Sequence, residues 1–390
     1  MDGSRRAKHA KPLSSLGSKG GQVLWFSAGT AGELIKIYPL LRMAQEKGQP
    51  FFCLCTGQSG VGFYRQWDLF RLPSDRLVSL LDTNSDLKTS AHALTWFTRA
   101  MLLSAAQLRR KIAAASGGVL PNPERDFWLV HGDTLSTLVG SVYARRLRIR
   151  LAHVEAGLRS SQLFKPFPEE ITRRLVSRFA RHHFTQDQRA YQNLISRKIA
   201  GAVVDTGGNT LIDAIRYARR EPEEPDYPAG RYAVANLHRF ENLHSPARWE
   251  HMLQVLEQAA AKTRVLLVLH PPVQEKLDRE PAMRARLERA GVILLPRQPF
   301  IPFIKLLARS AFVISDGGSN QEECHYLGKP CLILRDATER MEGLDGGSCV
   351  LSRFDPTVIE RFLEDPSRYQ RPETGFAVLP SERILDTLRQ

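Results

Sequence analysis

Short apolar runs that stop at glycine or an acid, each followed by apolar positions at helical spacing, organise this chain. Phe127-Trp128-Leu129-Val130 runs into Gly132-Asp133 as a buried parallel strand does, and Leu135, Leu138, Val139, Val142 and Leu147 then predict a helix. Arg150-Leu151-Ala152-His153-Val154 predicts the next strand, ending at Glu155 and Gly157. Earlier, Val23-Leu24-Trp25-Phe26 is a first strand that breaks at Gly29-Thr30-Ala31-Gly32, before a helix carrying Leu34, Ile35, Ile37, Leu40 and Leu41. Residues 50–56 predict a second strand. From 87 to 115 the spacing is that of one helix, closed by Ser116-Gly117-Gly118. Residues 181–185 predict a further strand, and 203–210 mark a crossing into a second domain with strands at 232–237, 265–269, 292–295 and 311–315. A terminal helix begins at Pro380. Strands alternating with helices over 390 residues predict an α/β chain of two domains. The expected division is a basic flexible tail over 1–21, a first domain over 22–205, a second over 206–370, and a terminal helix over 371–390.

The strand ends carry the candidate chemistry. In an open α/β sheet, ligands bind beyond the carboxyl ends of the strands. Asp133 and Glu155 each stand there, as do His131 and His153, and Glu169-Glu170 opens a helix after Pro168. The structural alternatives are that Asp133 caps the following helix and that Glu169-Glu170 are ordinary first-turn carboxylates. In the second domain His238-Arg239-Phe240-Glu241-Asn242 follows a strand, His270 follows another, and Asp316-Gly317-Gly318-Ser319-Asn320 follows a third. Small residues at such a turn let backbone N–H groups and a helix N-terminus approach phosphate.

These motifs strongly resemble the non-hydrolysing UDP-N-acetylglucosamine 2-epimerases. The resemblance lies in Gly132-Asp133-Thr134, in His153-Val154-Glu155-Ala156-Gly157-Leu158-Arg159 and in Pro166-Phe167-Pro168-Glu169-Glu170. It extends through Gly29, Thr30, Glu33 and Lys36, then the Thr-Gly-Asn-Thr-like Thr206 to Thr210, His238 to Asn242, and Arg335 to Arg340. The chain departs from the family pattern in six places. An extra glycine stands in Thr206-Gly207-Gly208-Asn209-Thr210, and Phe240 replaces the second arginine of His-Arg-Arg-Glu-Asn. Ala31-Gly32 replaces Arg-Pro, Ser59 replaces a histidine after Gln58, Gly317-Gly318-Ser319 replaces Ser-Gly-Gly, and Met341 replaces proline.

The resemblance implies two Rossmann-like domains of the glycosyltransferase-B type with the active-site cleft between them. It implies a reaction that interconverts UDP-GlcNAc and UDP-ManNAc, with no nicotinamide, metal or other cofactor. Asp133, Glu155, Glu169 and His238 are the catalytic candidates. Lys36, Arg173, Arg239, Asn242, His270, Gly317, Gly318, Ser319, Glu322, Arg335, Glu339 and Arg340 are the substrate-binding candidates. Two other readings remain open: a glycosyltransferase of the same fold passing the sugar to an acceptor, and a catalytically silent nucleotide-sugar-binding protein.

Composition narrows the partners. Net charge is +14, but the basic residues lie in small clusters such as Arg109-Arg110-Lys111 and no nucleic-acid motif appears, so nucleic acid is not an expected partner. The excess suits an anionic substrate, the UDP-sugar, or peripheral association with an acidic membrane surface. A homodimer is the remaining expected assembly. No run approaches the ~20 apolar residues of a membrane span, and the basic N-terminus has no apolar core of a secretory signal. Five cysteines without Cys-x-x-Cys spacing point to free thiols in the cytoplasm rather than a zinc site. His182-His183 reads as strand-end polarity rather than metal ligation.

Overall fold

A computed structural model describes residues 21–81, 90–160, 168–222, 230–338, 340–375 and 378–389. Glu339, residues 1–20 of the basic tail and Pro166-Phe167 of the acidic motif therefore lie outside the described residues.

The chain divides into two compact units, one running to Ala214 and resuming at Val378, the other spanning Ile215–Ala377. The division falls inside a helix, later than the 203–210 turn where the sequence places the crossing. The residues before Val378 belong to the second unit, and the helix after it belongs to the first.

In the first unit the order is β1 (Leu24–Ala28), α1 (Ala31–Glu46), β2 (Phe51–Cys55), α2 (Gly60–Leu69), β3 (Leu77–Ser79), α3 (Ser90–Leu102) and α4 (Ala105–Ala115). There follow β4 (Phe127–His131), α5 (Leu135–Leu147), β5 (Arg150–Val154), α6 (Glu169–Phe179), β6 (His182–Thr185), α7 (Gln188–Ile195), β7 (Ala202–Asp205) and α8 (Leu211–Arg220). The sheet order is β3-β2-β1-β4-β5-β6-β7, and every pairing is parallel. All five residues of β1, of β2 and of β4 are buried. That explains their unbroken apolar runs, since a parallel sheet is covered on both faces. The helix expected over 87–115 is two helices. Ser104 accepts from Gln107 N–H and Gln107 returns a bond to Ser104 N–H, a capping box that starts α4 afresh. Helical spacing continues across the break, so periodicity alone misses it. Gly140 lets α5 lie close on the sheet, because a Cβ there would overlap Ser27.

The second unit runs β8 (Tyr232–Asn236), α9 (Phe240–Leu243), α10 (Pro246–Ala260), β9 (Arg264–Leu269), α11 (Pro271–Arg279), α12 (Pro281–Arg289), β10 (Val292–Pro296), α13 (Phe300–Arg309), β11 (Phe312–Ser315), α14 (Gly318–Tyr326), β12 (Cys331–Ile333), β13 (Cys349–Leu351) and α15 (Pro356–Glu364). Its sheet is also all parallel, in the order β10-β9-β8-β11-β12-β13. The last helix, α16 (Pro380–Arg389), buries Ile384, Leu385 and Leu388 in the first unit. Ser381 N–H donates to Asp213 at 2.8 Å, and the α16 carboxylates of Glu382 and Asp386 meet Lys47 beyond α1.

Each sheet reverses its strand order once, between β1 and β4 in the first unit and between β8 and β11 in the second. These switch points open the crevices in which doubly wound sheets bind ligands. The candidate residues stand at both.

The five cysteines are free and buried. Cys324, Cys331 and Cys349, scattered in sequence, converge: Cys331 shares thiol contacts with both of the others. The Cys324 contact and burial push the Cys331 thiol well above its ordinary value, against the Cys349 contact. No helix among the described residues is long and apolar enough to cross a membrane.

Candidate functional site

In the first unit the turn after β1 is built on Glu33. This side chain is 4% exposed, and its Oε2 accepts from Gly29 N–H, Thr30 N–H and the Thr30 hydroxyl. Its Oε1 accepts from the hydroxyls of Thr134 and Thr137 at the start of α5. One carboxylate thus ties the loop after β1 to the loop after β4, although burial pushes its pKa up against those bonds. The sequence marks Glu33 only as a motif match. Its role as the tie between two loops depends on contacts across 101 and 104 positions.

Thr134, not Asp133, is the N-cap of α5. Asp133 is therefore released from the capping role, and its Oδ2 takes two donors from Arg173, Nε at 2.8 Å and a terminal nitrogen at 2.6 Å. Gly132, with φ of 68°, turns the chain between β4 and Asp133.

Glu155 leaves β5 with φ of 61°, a left-handed conformation rare for a residue with a Cβ. Its Oε1 accepts from Lys36 Nζ at 2.7 Å and Asn209 Nδ2 at 2.8 Å, while His131 Nε2 lies 3.4 Å from Oε2. Burial pushes the His131 imidazole down to about 4, so it is neutral beside the carboxylate. His153, whose Nε2 lies 2.8 Å from the Gly132 carbonyl, is pushed down by burial to about 3. A small cavity beside Glu155 is lined by Gln186, Thr206, Asn209 and Ile384 among others.

Of the two acids that open α6, one is structural. Glu170 is fully buried, and its oxygens accept from Ser160 N–H and Arg174 Nε. Burial alone would raise its pKa, but those bonds and the Arg159 charge bring it below the usual range. Glu169 differs: its Oε2 is buried and meets no hydrogen-bond partner among the described residues. A first-turn carboxylate serving only the helix dipole would face water instead.

The second unit repeats the plan with other side chains. Asp316, fully buried at the end of β11, accepts from the backbone N–H groups of His238 and Arg239 and from Asn242 Nδ2. The His238 ring stacks on His270 with centroids 4.7 Å apart. Its Nδ1 lies 3.6 Å from Asp316 Oδ1. Burial lowers both imidazoles, His270 to about 4. Gly317 is required by this packing, since a Cβ there would come within 2.6 Å of His238 Cε1. It caps α14, so Gly318 and exposed Ser319 form the helix's first turn beside His238.

The remaining sequence candidates separate into two groups. Asn242 is 1% exposed, and its amide also donates to the Leu334 carbonyl, so it locks the turn rather than facing a ligand. Glu322 is fully buried against Arg340, 2.7 Å away. Arg239 and Arg335 are partly exposed; the first meets Glu241, and the second meets the Thr338 hydroxyl. Asp316 and Asn209, which hold His238 and Glu155, were legible only as motif members. Their partners lie 78 and 54 positions away. His183 turns its Nε2 to the Ala200 carbonyl at 3.1 Å, and His182 packs edge-on against Phe127.

Two doubly wound parallel sheets, one with carboxylates at its switch point and the other with stacked imidazoles over a glycine-capped helix, define an α/β enzyme of the two-Rossmann, nucleotide-sugar class. Residues 94–376 match the family model described as UDP-N-acetylglucosamine 2-epimerase, and the chain belongs to that family. It is 32% identical over 269 residues to the UDP-N-acetylglucosamine 2-epimerase of Escherichia coli K12, covering 65% of this chain and 71% of that one. It is 29% identical over 360 residues to the enzyme of the same name from Neisseria meningitidis, covering 88% and 91%. Among solved structures it is similar to the Neisseria meningitidis enzyme bound to UDP-GlcNAc, with a TM-score of 0.70 and 26% identity over 94% of this chain and 99% of that one.

Proposed function

We infer that this chain epimerises a UDP-linked 2-acetamido sugar at C2, interconverting UDP-GlcNAc and UDP-ManNAc. Family membership carries this reading, and the carboxylates at the first switch point support it. The C2–H bond breaks to a carboxylate as the C1–O bond to UDP breaks, giving a C1=C2 double bond and free UDP. UDP oxygen then re-adds at C1 while a proton is delivered to the opposite face of C2. No electrons are gained or lost, and substrate and product have the same composition, the C2 hydrogen being exchanged for another proton.

The contacts favour a division of labour among the acids. Asp133 and Glu155, held by Arg173 and by Lys36, act as carboxylates of fixed position. Glu169, whose buried Oε2 has no hydrogen-bond partner among the described residues, is our candidate for a proton transfer at C2. His238, backed by Asp316, supports the departing diphosphate, with Arg239, His270, Arg335, Arg340 and the Gly318-Ser319 turn as further phosphate or ribose contacts.

The test is proton NMR of the protein with UDP-GlcNAc in heavy water. UDP-ManNAc should appear with deuterium at C2 in both epimers. Reaction only after an acceptor is added would instead establish a glycosyltransferase, and binding without turnover a silent binding protein.

A further inference from the structure

The sheet of the first unit has a second edge, opposite the switch-point chemistry, where the strands begin. Arg125 precedes β4, Arg148 precedes β5 and Arg150 begins it, Arg178 and Arg181 precede β6, and Lys198 precedes β7. The ladder places them side by side: Phe127 registers with Arg150, Ala152 with His182, and His182 with Ala202. Neighbouring strands lie about 4.8 Å apart, so four strand starts span roughly 15 Å. Arg148, Arg178, Arg181 and Lys198 are exposed, and none forms an ion pair among the described residues. Within residues 121–126, 145–150, 178–181 and 195–201 the only carboxylates are Glu124 and Asp126. Asp126 is fully buried, accepting from Val23 N–H and Trp25 Nε1. Arg148, Arg178, Arg181 and Lys198 therefore face solvent, with Glu124 the one exposed acid within those segments.

Three further observations give the row a direction. Ile195, 45% exposed, sits on the turn that carries Lys198, so an apolar side chain stands among the charges. The aromatic rings on this edge are covered: Arg150 lies over Phe127 at 3.9 Å, and Arg145 over Phe179 at 5.1 Å. Among the described residues of this edge, no bare ring offers a stacking platform for a nucleobase. Finally, β1 is parallel to β4, with Leu24 paired to Phe127, so β1 also begins at this edge. In sequence, residues 1–20 before it contain Arg5, Arg6, Lys8, Lys11 and Lys19 against a single acid, Asp2.

We propose that this strand-start edge docks the first unit on an anionic phospholipid surface. Lys and Arg side chains near such a surface each gain about 1 kcal/mol from its negative potential, within a Debye length. An isoleucine among them adds shallow insertion, as interfacial segments do. The switch-point chemistry lies at the far ends of the same strands, so docking leaves that edge turned away from the lipid.

The full chain should sediment with vesicles of phosphatidylcholine containing about a third phosphatidylglycerol, not with phosphatidylcholine alone, and raised salt should release it. Changing Arg148→Gln, Arg178→Gln, Arg181→Gln and Lys198→Gln together should weaken partition on the order of a thousandfold. Turnover in solution and thermal midpoint should be unchanged, because none of the four belongs to the site. Replacing the three arginines by lysine should keep partition. Should the fourfold chain fold poorly, the pair Arg178→Gln and Arg181→Gln must still lose roughly thirtyfold. No binding to anionic vesicles overturns the proposal. So does undiminished binding by the substituted chain, which would assign it to the N-terminal segment alone, or tighter binding of duplex DNA than of vesicles at equal salt.

Discussion

Lys36 Nζ lies 2.7 Å from Glu155 Oε1, joining α1 to the end of β5 with side chains only 13% and 8% exposed. The pair is legible as two separate motif residues, but its closeness is a product of the β1–β4–β5 ladder. Lys36→Met leaves the carboxylate without its cation, and removing one partner of a buried pair costs about 3–5 kcal/mol. Denaturant unfolding should show that loss. Adding Glu155→Gln to it should recover most of the stability without recovering turnover. A double variant as unstable as Lys36→Met would show that the pair is not what Lys36 contributes.

Amide replacement separates the acids. Asp133→Asn, Glu155→Gln and Glu169→Gln should each lower turnover by roughly the 10²–10⁴-fold typical of general acid–base groups, with UDP affinity changing much less. Glu169→Gln should leave the thermal midpoint unchanged, since its Oε2 bonds to nothing among the described residues. Glu170→Gln should do the opposite and destabilise the fold, because the Ser160 and Arg174 bonds depend on its charge. Wild-type turnover in a folded Glu169→Gln protein would remove it from the reaction.

Gly317→Ala tests the second switch point. The added methyl would stand 2.6 Å from His238 Cε1, so the ring must leave its stack on His270. A weaker UDP affinity with a near-native thermal midpoint is expected by calorimetry. An unchanged affinity would mean that the position of His238 does not matter to the nucleotide.

Buried histidines set a pH dependence. His153 has a folded pKa of about 3, lowered by burial, against an ordinary value of 6.5. Between these values the unfolded chain holds a proton that the folded one does not, so unfolding is favoured as pH falls from about 6.5 towards 3. Its contribution is present above 6.5 and is lost across that window. Thermal midpoints of wild type and His153→Gln, measured from pH 7 down to 4, should converge at the acid end. Parallel curves would show that His153 is not titrating on unfolding.

Activity should also persist after chelation and exhaustive dialysis, because elimination and re-addition of UDP need no redox step and no metal. Turnover restored only by a divalent ion or a nicotinamide would overturn the mechanism.

Much of the fold was legible because burial writes itself into short apolar runs: β1, β4, β9 and β11 each contain an unbroken run of Val, Leu, Ile, Phe or Trp, and β5 and β8 are short, largely apolar segments. The three-residue strands β3, β12 and β13 were not, since so short a run carries no period. The break between α3 and α4 was hidden for a related reason. Ser104 interrupts hydrogen bonding without interrupting the apolar spacing.

By itself the sequence determined which chemical groups stand at strand ends, because a strand's end is a local event marked by glycine and acid after an apolar run. It determined that Asp133, Glu155 and Glu169 were available, and it placed His238 and Asp316 at two such ends. Tertiary structure alone decided what each group touches. Arg173 reaches Asp133 across 40 positions and Lys36 reaches Glu155 across 119, distances over which no local pattern carries information. The same holds for Glu169 and Glu170, adjacent and chemically alike in the chain. A helix turns successive side chains by about 100°, so one was carried into the arginine cluster and the other left without a partner among the described residues.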